Sequence, residues 1–345
     1  MKYDLNLLNQ YVDKGWVVKQ DHPTLPLSIY NYSRGVQYEK LWDPITLNCR
    51  GLVLDTDGNI VAKAFPKFFN YEELTEASIP KQTFEVFEKM DGSLGICFYY
   101  NGEWHMATRG SFTSEQAIRG KEMLNKYDTS KLNTHYTYLF EIIYKENRIV
   151  VDYDFEDLVL LAVIDTETGA EPGLGFVNTH DFKVVMRYKT WGEDWETLKK
   201  EISKYNEGYV IRFSGGMRMK IKGDEYVRLH RILTNFSTKD IWELLKNGEP
   251  LEPFLDRVPD EFDNWVKEVV KDLQIRFENI VKDYNAIFWS IYDDDKKVFA
   301  ERAKRYPHPS LLFSMYDKKN KSAYDYVWKL LKPKYEKPFR KDIDK

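Results

Sequence analysis

Lysines, glutamates and arginines in this chain fall into a pattern that suits chemistry at a phosphorus atom. Lys89, in Lys89-Met90-Asp91-Gly92-Ser93, closes a strand-like run and precedes an Asp-Gly turn, so its amine can be held rigidly. A protonated amine is a poor nucleophile, and the site is expected to lower the Lys89 pKa by burial or nearby positive charge. The Lys-x-Asp-Gly string alone is weak, so its value depends on what else the chain supplies. Glu141, in Tyr138-Leu139-Phe140-Glu141-Ile142-Ile143, is an acid inside an apolar strand. A strand-edge salt bridge is the plainer explanation of a lone glutamate, but a buried acid needs a partner, and a ribose hydroxyl or a metal would serve. Glu207, in Glu207-Gly208-Tyr209-Val210, offers a second carboxylate before a strand, where Glu-Gly is also a common turn. Lys220 and Lys222 stand two residues apart, hence on one face of a strand. They repel each other unless an anion lies between them; a triphosphate would satisfy both, and a solvated polar face is the alternative. Arg50 in Cys49-Arg50-Gly51, and Lys67 in Pro66-Lys67-Phe68-Phe69-Asn70, are suited to grip a leaving pyrophosphate or an RNA phosphate, with ordinary surface cations as the alternative. Arg109, in Thr108-Arg109-Gly110-Ser111, ends the hairpin that follows Lys89.

The elements that must position these groups read as β-rich up to about residue 235. Asn48 to Asp55 runs into a turn at Asp57-Gly58 and returns through Ile60 to Phe65. Phe84 to Glu88 leads into Lys89. Leu94 to Tyr100, an Asn101-Gly102 turn and Glu103 to Thr108 form the clearest hairpin. Tyr136 to Tyr144 and Leu158 to Asp165 are further strands, and Tyr209 to Phe213 pairs with Met217 to Lys222 through Ser214-Gly215-Gly216. Ser114 to Asn125 and Trp195 to Lys204 read as helices. After about residue 236 the period changes to a helical one: Phe262, Val266, Val269, Leu273, Phe277, Ile280, Tyr284, Ile287 and Ile291 recur at helical spacing. Thr238 to Lys246 and Ser322 to Leu331 add shorter helices. Domains of 1–235 and 236–345 follow, the second all-helical, with a tail from Lys332 expected to be partly disordered.

Composition narrows the classes. At 345 residues, with 43% hydrophobic and 15% aromatic side chains, the chain can fill two cores. A net charge of −4, from 51 basic and 55 acidic residues, gives no global basic field, so nucleic-acid contact must come from local patches. Cys49 and Cys97 are too few for a disulfide framework. The six histidines (His22, His105, His135, His180, His230, His308) are scattered, and no GxxxxGK[ST], HExxH or GxSxG string occurs. Tyr153 and Phe155 read as core or surface rather than as a base-stacking platform. The absence of a signal-like N-terminus or a membrane-length apolar run fits a soluble, cytoplasmic protein in a reducing setting.

Taken in order, these strings resemble the covalent nucleotidyltransferases of the ligase and capping-enzyme superfamily, and more narrowly the T-even phage RNA ligase 1 family. The matching segments are Tyr30-Asn31-Tyr32, Cys49-Arg50-Gly51, Lys67-Phe68-Phe69-Asn70, Lys89-x-Asp91-Gly92-Ser93, Arg109-Gly110-Ser111 with Ser114-Glu115-Gln116-Ala117, Phe140-Glu141, Asn147-Arg148-Ile149-Val150, Glu207-Gly208-Tyr209-Val210 and Lys220-Ile221-Lys222. The resemblance implies an α+β fold: an antiparallel-sheet nucleotidyltransferase domain, ATP-grasp-like, followed by an all-helical domain with a role in choosing the RNA.

It also implies that Lys89 attacks ATP to give lysyl-AMP. AMP then passes to an RNA 5′-phosphate, and a 3′-hydroxyl displaces it. Lys89, Glu207, Lys220 and Lys222 would be catalytic. Arg50, Lys67, Phe69, Glu88, Arg109, Glu141, Lys220 and Lys222 would bind nucleotide, with Glu141 on the ribose, and Glu207 would organise Mg²⁺ (or Mn²⁺). Family members can carry lysine where this chain has Ala107, which lowers the expectation for a phosphate contact near Arg109. The implied partners are single-stranded or broken structured RNA with 5′-phosphate and 3′-hydroxyl ends, such as tRNA under repair, and a separate polynucleotide kinase/phosphatase. A cytoplasmic setting (the host's, if a phage encodes the protein) and a monomer are expected, with the source, phage or cell, left open. A DNA ligase or GTP-dependent capping enzyme would carry an OB barrel after Lys222, where this chain reads helical. A catalytically inactive RNA-binding module would have no chemical reason to keep Lys89, Glu141, Glu207, Lys220 and Lys222 together.

Overall fold

The computed structural model describes residues 2–174, 181–189, 194–203, 205–256, 258–318 and 320–334. Readings placed on His180, on Lys204 and on the tail from 335 lie outside these residues. The fold is α+β, in two compact units, Met1–Val227 and Arg228–Lys345; the division falls within the helix Asp224–Asn235.

Three sheets build the first unit. One has the order Val17–Asp21, Leu27–Tyr32, Arg50–Asp55, Ile60–Ala62. The second runs Lys183–Val184, Asp157–Asp165, Tyr136–Ile143, Ser93–Tyr100, Glu103–Ala107. Both of its faces are covered, which is why its strands read as nearly continuous apolar runs. Cys97, Tyr138, Phe140 and Ile142 pack with Met123 and Leu124 of the helix Glu115–Leu124, and Ile96, Phe98 and Leu139 pack with Leu27, Ile29 and Val53 of the first sheet. Its hairpin turns at Asn101 (φ 52°) and Gly102 (φ 88°), the paired left-handed conformations of a type I′ turn.

The third sheet carries Phe69, Lys89, Lys220 and Lys222 of the expected site. Its order is Arg187–Tyr188, Phe84–Lys89, Gly208–Phe213, Arg218–Lys222, Phe69–Asn70. Val86, Ile211, Phe213, Met219 and Ile221 pack with Leu198 of the helix Trp195–Lys200. Strand alternation therefore turns Phe87 and Lys89, and the cations 218, 220 and 222, to the other face. Most pairings are antiparallel, as expected, but Phe69–Asn70 pairs parallel with Arg218–Lys222, and Lys183–Val184 parallel with Asp157–Asp165.

The second unit is helical. Its longest element, Asp260–Ile291, buries Phe262, Val266, Leu273, Tyr284, Phe288 and Ile291 along one stripe. Each such side chain contributes about 1.5–3 kcal/mol, and that packing, more than propensity, holds a helix of this kind. Thr238–Asn247 starts on a Ser237/Asp240 capping box and ends on Gly248 in the left-handed conformation. The short helices Leu5–Asp13, Arg34–Glu39, Lys296–Ala303 and Pro309–Tyr316 were not legible from apolar spacing. No described helix is long and apolar enough to cross a membrane.

Candidate active site

The register of the third sheet sets Lys89, Gly208 and Lys222 side by side on three adjacent strands. Glu207, immediately before this row and 3% exposed, sends one carboxylate oxygen to each lysine. Lys89 Nζ donates to Oε2 at 2.7 Å, and Lys222 Nζ lies 2.8 Å from Oε1. Gly208 makes this approach possible: its φ is +151°, and a β-carbon there would lie 2.0 Å from the Ile221 carbonyl oxygen. Burial pushes the Glu207 pKa up, but Lys89 and Lys222 outweigh it and hold the carboxyl below its usual value.

The anion between lysines is therefore Glu207, and the lysines it joins are Lys89 and Lys222 rather than Lys220 and Lys222. This overturns one expectation. Burial lowers the Lys89 pKa, but the carboxylates of Glu207, Glu141 and Asp91 more than reverse it, so the pKa is raised. In this state Lys89 is an ammonium ion, and it becomes a nucleophile only when its proton leaves.

Lys220 is the depressed lysine. Burial, then Lys89, Lys222, Lys67 and Arg50, lower its pKa to about 7. Its ammonium lies 5.7 Å from the Phe68 ring centre, as Arg50 lies 5.6 Å from the same ring. A group whose folded pKa lies below its unfolded 10.5 binds fewer protons when folded, so it costs stability most below pH 7, and the cost fades as pH rises towards 10.5. Lys220→Met is accordingly expected to raise the melting temperature at pH 6, with the gain shrinking by pH 10. Thermal unfolding of both proteins across pH checks this; a gain independent of pH would remove the electrostatic explanation.

The Asp-Gly turn after Lys89 is fixed by groups that sequence reasoning passed over. Asp91 Oδ2 accepts from the backbone N–H of Val150 and Val151, both at 2.8 Å, and Oδ1 accepts from the Tyr226 hydroxyl at 2.7 Å. The backbone N–H of Asp91 donates to the Tyr153 hydroxyl at 2.9 Å, so Tyr153 anchors the loop rather than serving only as core. Ser93 Oγ donates to Asn147 Oδ1, and Asn147 Nδ2 to the Ile142 carbonyl. The sequence signals were the aspartate of Lys89-x-Asp91-Gly92 and the string Asn147-Arg148-Ile149-Val150, but each has its partner across the fold.

Glu141 lies in a central strand, between Asp157–Asp165 and Ser93–Tyr100, so the strand-edge salt bridge does not apply. Its Oε1 accepts from the Gly92 N–H at 2.9 Å, and burial raises its pKa to about 8. Gly92 has no room for a side chain: a β-carbon would lie 2.7 Å from the Ile142 carbonyl oxygen.

Lys67 and Arg50 join the group through their repulsion of Lys220. Arg109 donates to the Tyr32 hydroxyl at 3.4 Å, and Phe69 lies 5.4 Å from the Lys67 amine. Ala107 is fully buried against the core, so no phosphate contact arises there. Glu88 alternates to the face away from Lys89, where its carboxylate accepts from Asn206 Nδ2 at 3.1 Å. Its side chain is the one predicted site residue that stands apart from the rest.

Comparisons with known proteins give a family, relatives and a shared fold. A family model described as RNA ligase matches residues 48–226, just over half the chain and the segment that carries Arg50, Lys89, Glu141, Glu207 and both distal lysines. The chain is similar to the RNA ligase of Rhodothermus phage RM378, 22% identical over 90% of each protein. It is also similar to a candidate bifunctional polynucleotide kinase/RNA ligase of Autographa californica nuclear polyhedrosis virus, 28% identical over 69% of this chain but only 38% of the viral protein. Among solved structures, an archaeal ATP-dependent RNA ligase shares the fold, with a TM-score of 0.51 and 13% identity over 88% of this chain and 86% of that one.

Proposed function

The chain belongs to the RNA ligase family, and from that premise we propose that it joins RNA 5′-phosphate and 3′-hydroxyl ends with ATP, through lysyl-AMP and RNA-adenylate intermediates. The observation that carries the reading is the Lys89–Glu207–Lys222 bridge beside the depressed Lys220. Lys89 Nζ attacks the α-phosphorus of ATP; an N–P bond forms, the α–β P–O bond breaks, and pyrophosphate leaves. The proton that Lys89 must give up passes to solvent, while Glu207, already bonded to the amine, holds it in position. Lys220, Lys222, Arg50 and Lys67 spread the developing phosphate charge, which is catalysis by position and charge neutralisation. An RNA 5′-phosphate oxygen then attacks the phosphorus of lysyl-AMP, the N–P bond breaks, and Lys89 recovers its proton. Finally the 3′-hydroxyl attacks the activated 5′-phosphorus and AMP leaves.

Mg²⁺ commonly binds through one or two carboxylates together with substrate phosphates. Glu207 and Glu141, both close enough to act on the Lys89 charge, fit that mode. No cluster of three or more His, Cys, Asp or Glu able to hold a metal occurs among the described residues, so the substrate's phosphates would complete the set. The ion would neutralise phosphate charge, and Mn²⁺ would suit the same donors.

The viral relative's name, which couples a kinase with a ligase, supports a partner activity that prepares ends, and repair of broken structured RNA such as tRNA as the setting. The helical unit would select the RNA, and a cytoplasmic monomer is the proposed state. Helix rather than barrel after Lys222 favours this reading over DNA ligation or cap formation. Incubation with α-labelled ATP, GTP or NAD⁺ and Mg²⁺ is expected to label the protein from ATP alone, and 5′-phosphorylated single-stranded RNA is expected to circularise or join. Labelling from GTP, or joining only of nicked duplex, would replace the proposal.

A further inference from the structure

Lys67 is surrounded by aromatic rings to an extent that gripping a phosphate does not require. Its amine lies 5.8 Å from the Tyr32 ring centre and 5.4 Å from those of Trp42 and Phe69. Trp42 stands edge-on to both other rings, 5.0 Å from Tyr32 and 5.5 Å from Phe69. Arg109 closes the group, its guanidinium 5.6 Å from the Tyr32 ring. Phe69 belongs to the edge strand beside Arg218–Lys222, paired with Met219. The rings gather at Lys67, whose charge acts on Lys220. Next to Tyr32 in the chain, the buried Oδ1 atom of Asn31 accepts no hydrogen bond, an unmet demand that a donor on a ligand would satisfy. Cations alternating with aromatic faces are what single-stranded nucleic acid binds, phosphates to the charges and bases to the rings.

We propose that Trp42, packed edge-on against the buried Tyr32 and against Phe69, stacks the 5′-terminal nucleoside of the RNA whose 5′-phosphate is being activated. The proposal rests on the ligase reading above. That phosphate must reach the phosphorus held at Lys89, so it lies among Lys220, Lys67 and Arg50. The nucleoside attached to it extends beyond those cations, where the wall stands. The nucleoside of ATP belongs at the other end, by Glu141 and Gly92, so the two do not compete.

The test uses protein charged with AMP and freed of ATP, then offered two 5′-phosphorylated RNAs that differ only in an abasic 5′-terminal nucleotide. Wild type is expected to transfer AMP to the abasic RNA about tenfold more slowly, the loss of one base–aromatic stack. Trp42→Ala should slow transfer to the intact RNA by a similar factor and treat both RNAs alike, and Trp42→Tyr should restore most of the discrimination. Equal transfer to both RNAs by wild type overturns the proposal, whatever the variants do. So does a Trp42→Ala protein whose own labelling by ATP slows as much as its transfer, since Trp42 would then serve only Lys67. If wild type takes up no AMP at all, the ligase reading falls first and this one with it.

Discussion

Lys89→Ala is expected to lose all covalent labelling from α-labelled ATP, a fall of about 10⁴-fold or more, as for other covalent nucleophiles. The fold should survive. Glu207 keeps Lys222 at 2.8 Å, so one ion pair of the bridge remains, and the strand Phe84–Lys89 loses only its last side chain. Lys89→Arg separates chemistry from charge. A guanidinium can keep a pair with Glu207 but cannot shed its proton at accessible pH, so the bridge is retained and labelling still fails. Gel and mass analysis of the labelled protein reads both variants. A phosphoramidate on Lys89→Ala would mean that another lysine is the nucleophile, and Lys220, with a pKa near 7, would be the first to examine.

Glu207→Gln should damage both stability and activity. The carboxylate is 3% exposed and serves two ammonium groups, one per oxygen. An amide offers an oxygen to one lysine and an N–H₂ to the other, placing donor against donor. Removing one member of a buried ion pair leaves charge uncompensated, and about 3 kcal/mol is expected, the low end of the usual range because both lysines are partly exposed. The sign with pH follows from the depressed Glu207 pKa. Its stabilising effect is present above the ordinary 4.5 and is lost as pH falls through the folded value, so wild type and Glu207→Gln should converge in acid. Loss of the carboxylate that holds the Lys89 amine should lower adenylylation by about 10²-fold or more. Urea unfolding at pH 7 and pH 3, with single-turnover labelling, measures both effects. Equal stability at pH 7 would show that the bridge does not hold the site together.

The amino-acid sequence by itself determined the three central strands of the third sheet, the helical period after residue 236, and the choice of Lys89, Glu141, Glu207, Lys220 and Lys222 as candidates, while its two short edge strands, Arg187–Tyr188 and Phe69–Asn70, carried no alternation to read. These are properties of local pattern: alternation decides faces, and a 3.6-residue period decides helix. It misplaced Glu88, whose alternation away from Lys89 was already implicit in the strand. It also read Tyr153 as core or surface, with no sign of its hydrogen bond to the Asp91 backbone.

What only the tertiary structure decided is who shares a charge with whom. Lys89 and Glu207 are 118 residues apart, and only the register that sets both Lys89 and Lys222 opposite Gly208 brings one carboxylate to two ammonium groups. That arrangement reversed the expected Lys89 pKa and moved the depressed amine to Lys220, because a pKa depends on distances to other charges and on burial, neither of which is a local property of sequence. The same holds for Asp91, clasped by Val150, Val151 and Tyr226, and for the aromatic wall that gathers Tyr32, Trp42 and Phe69 around Lys67.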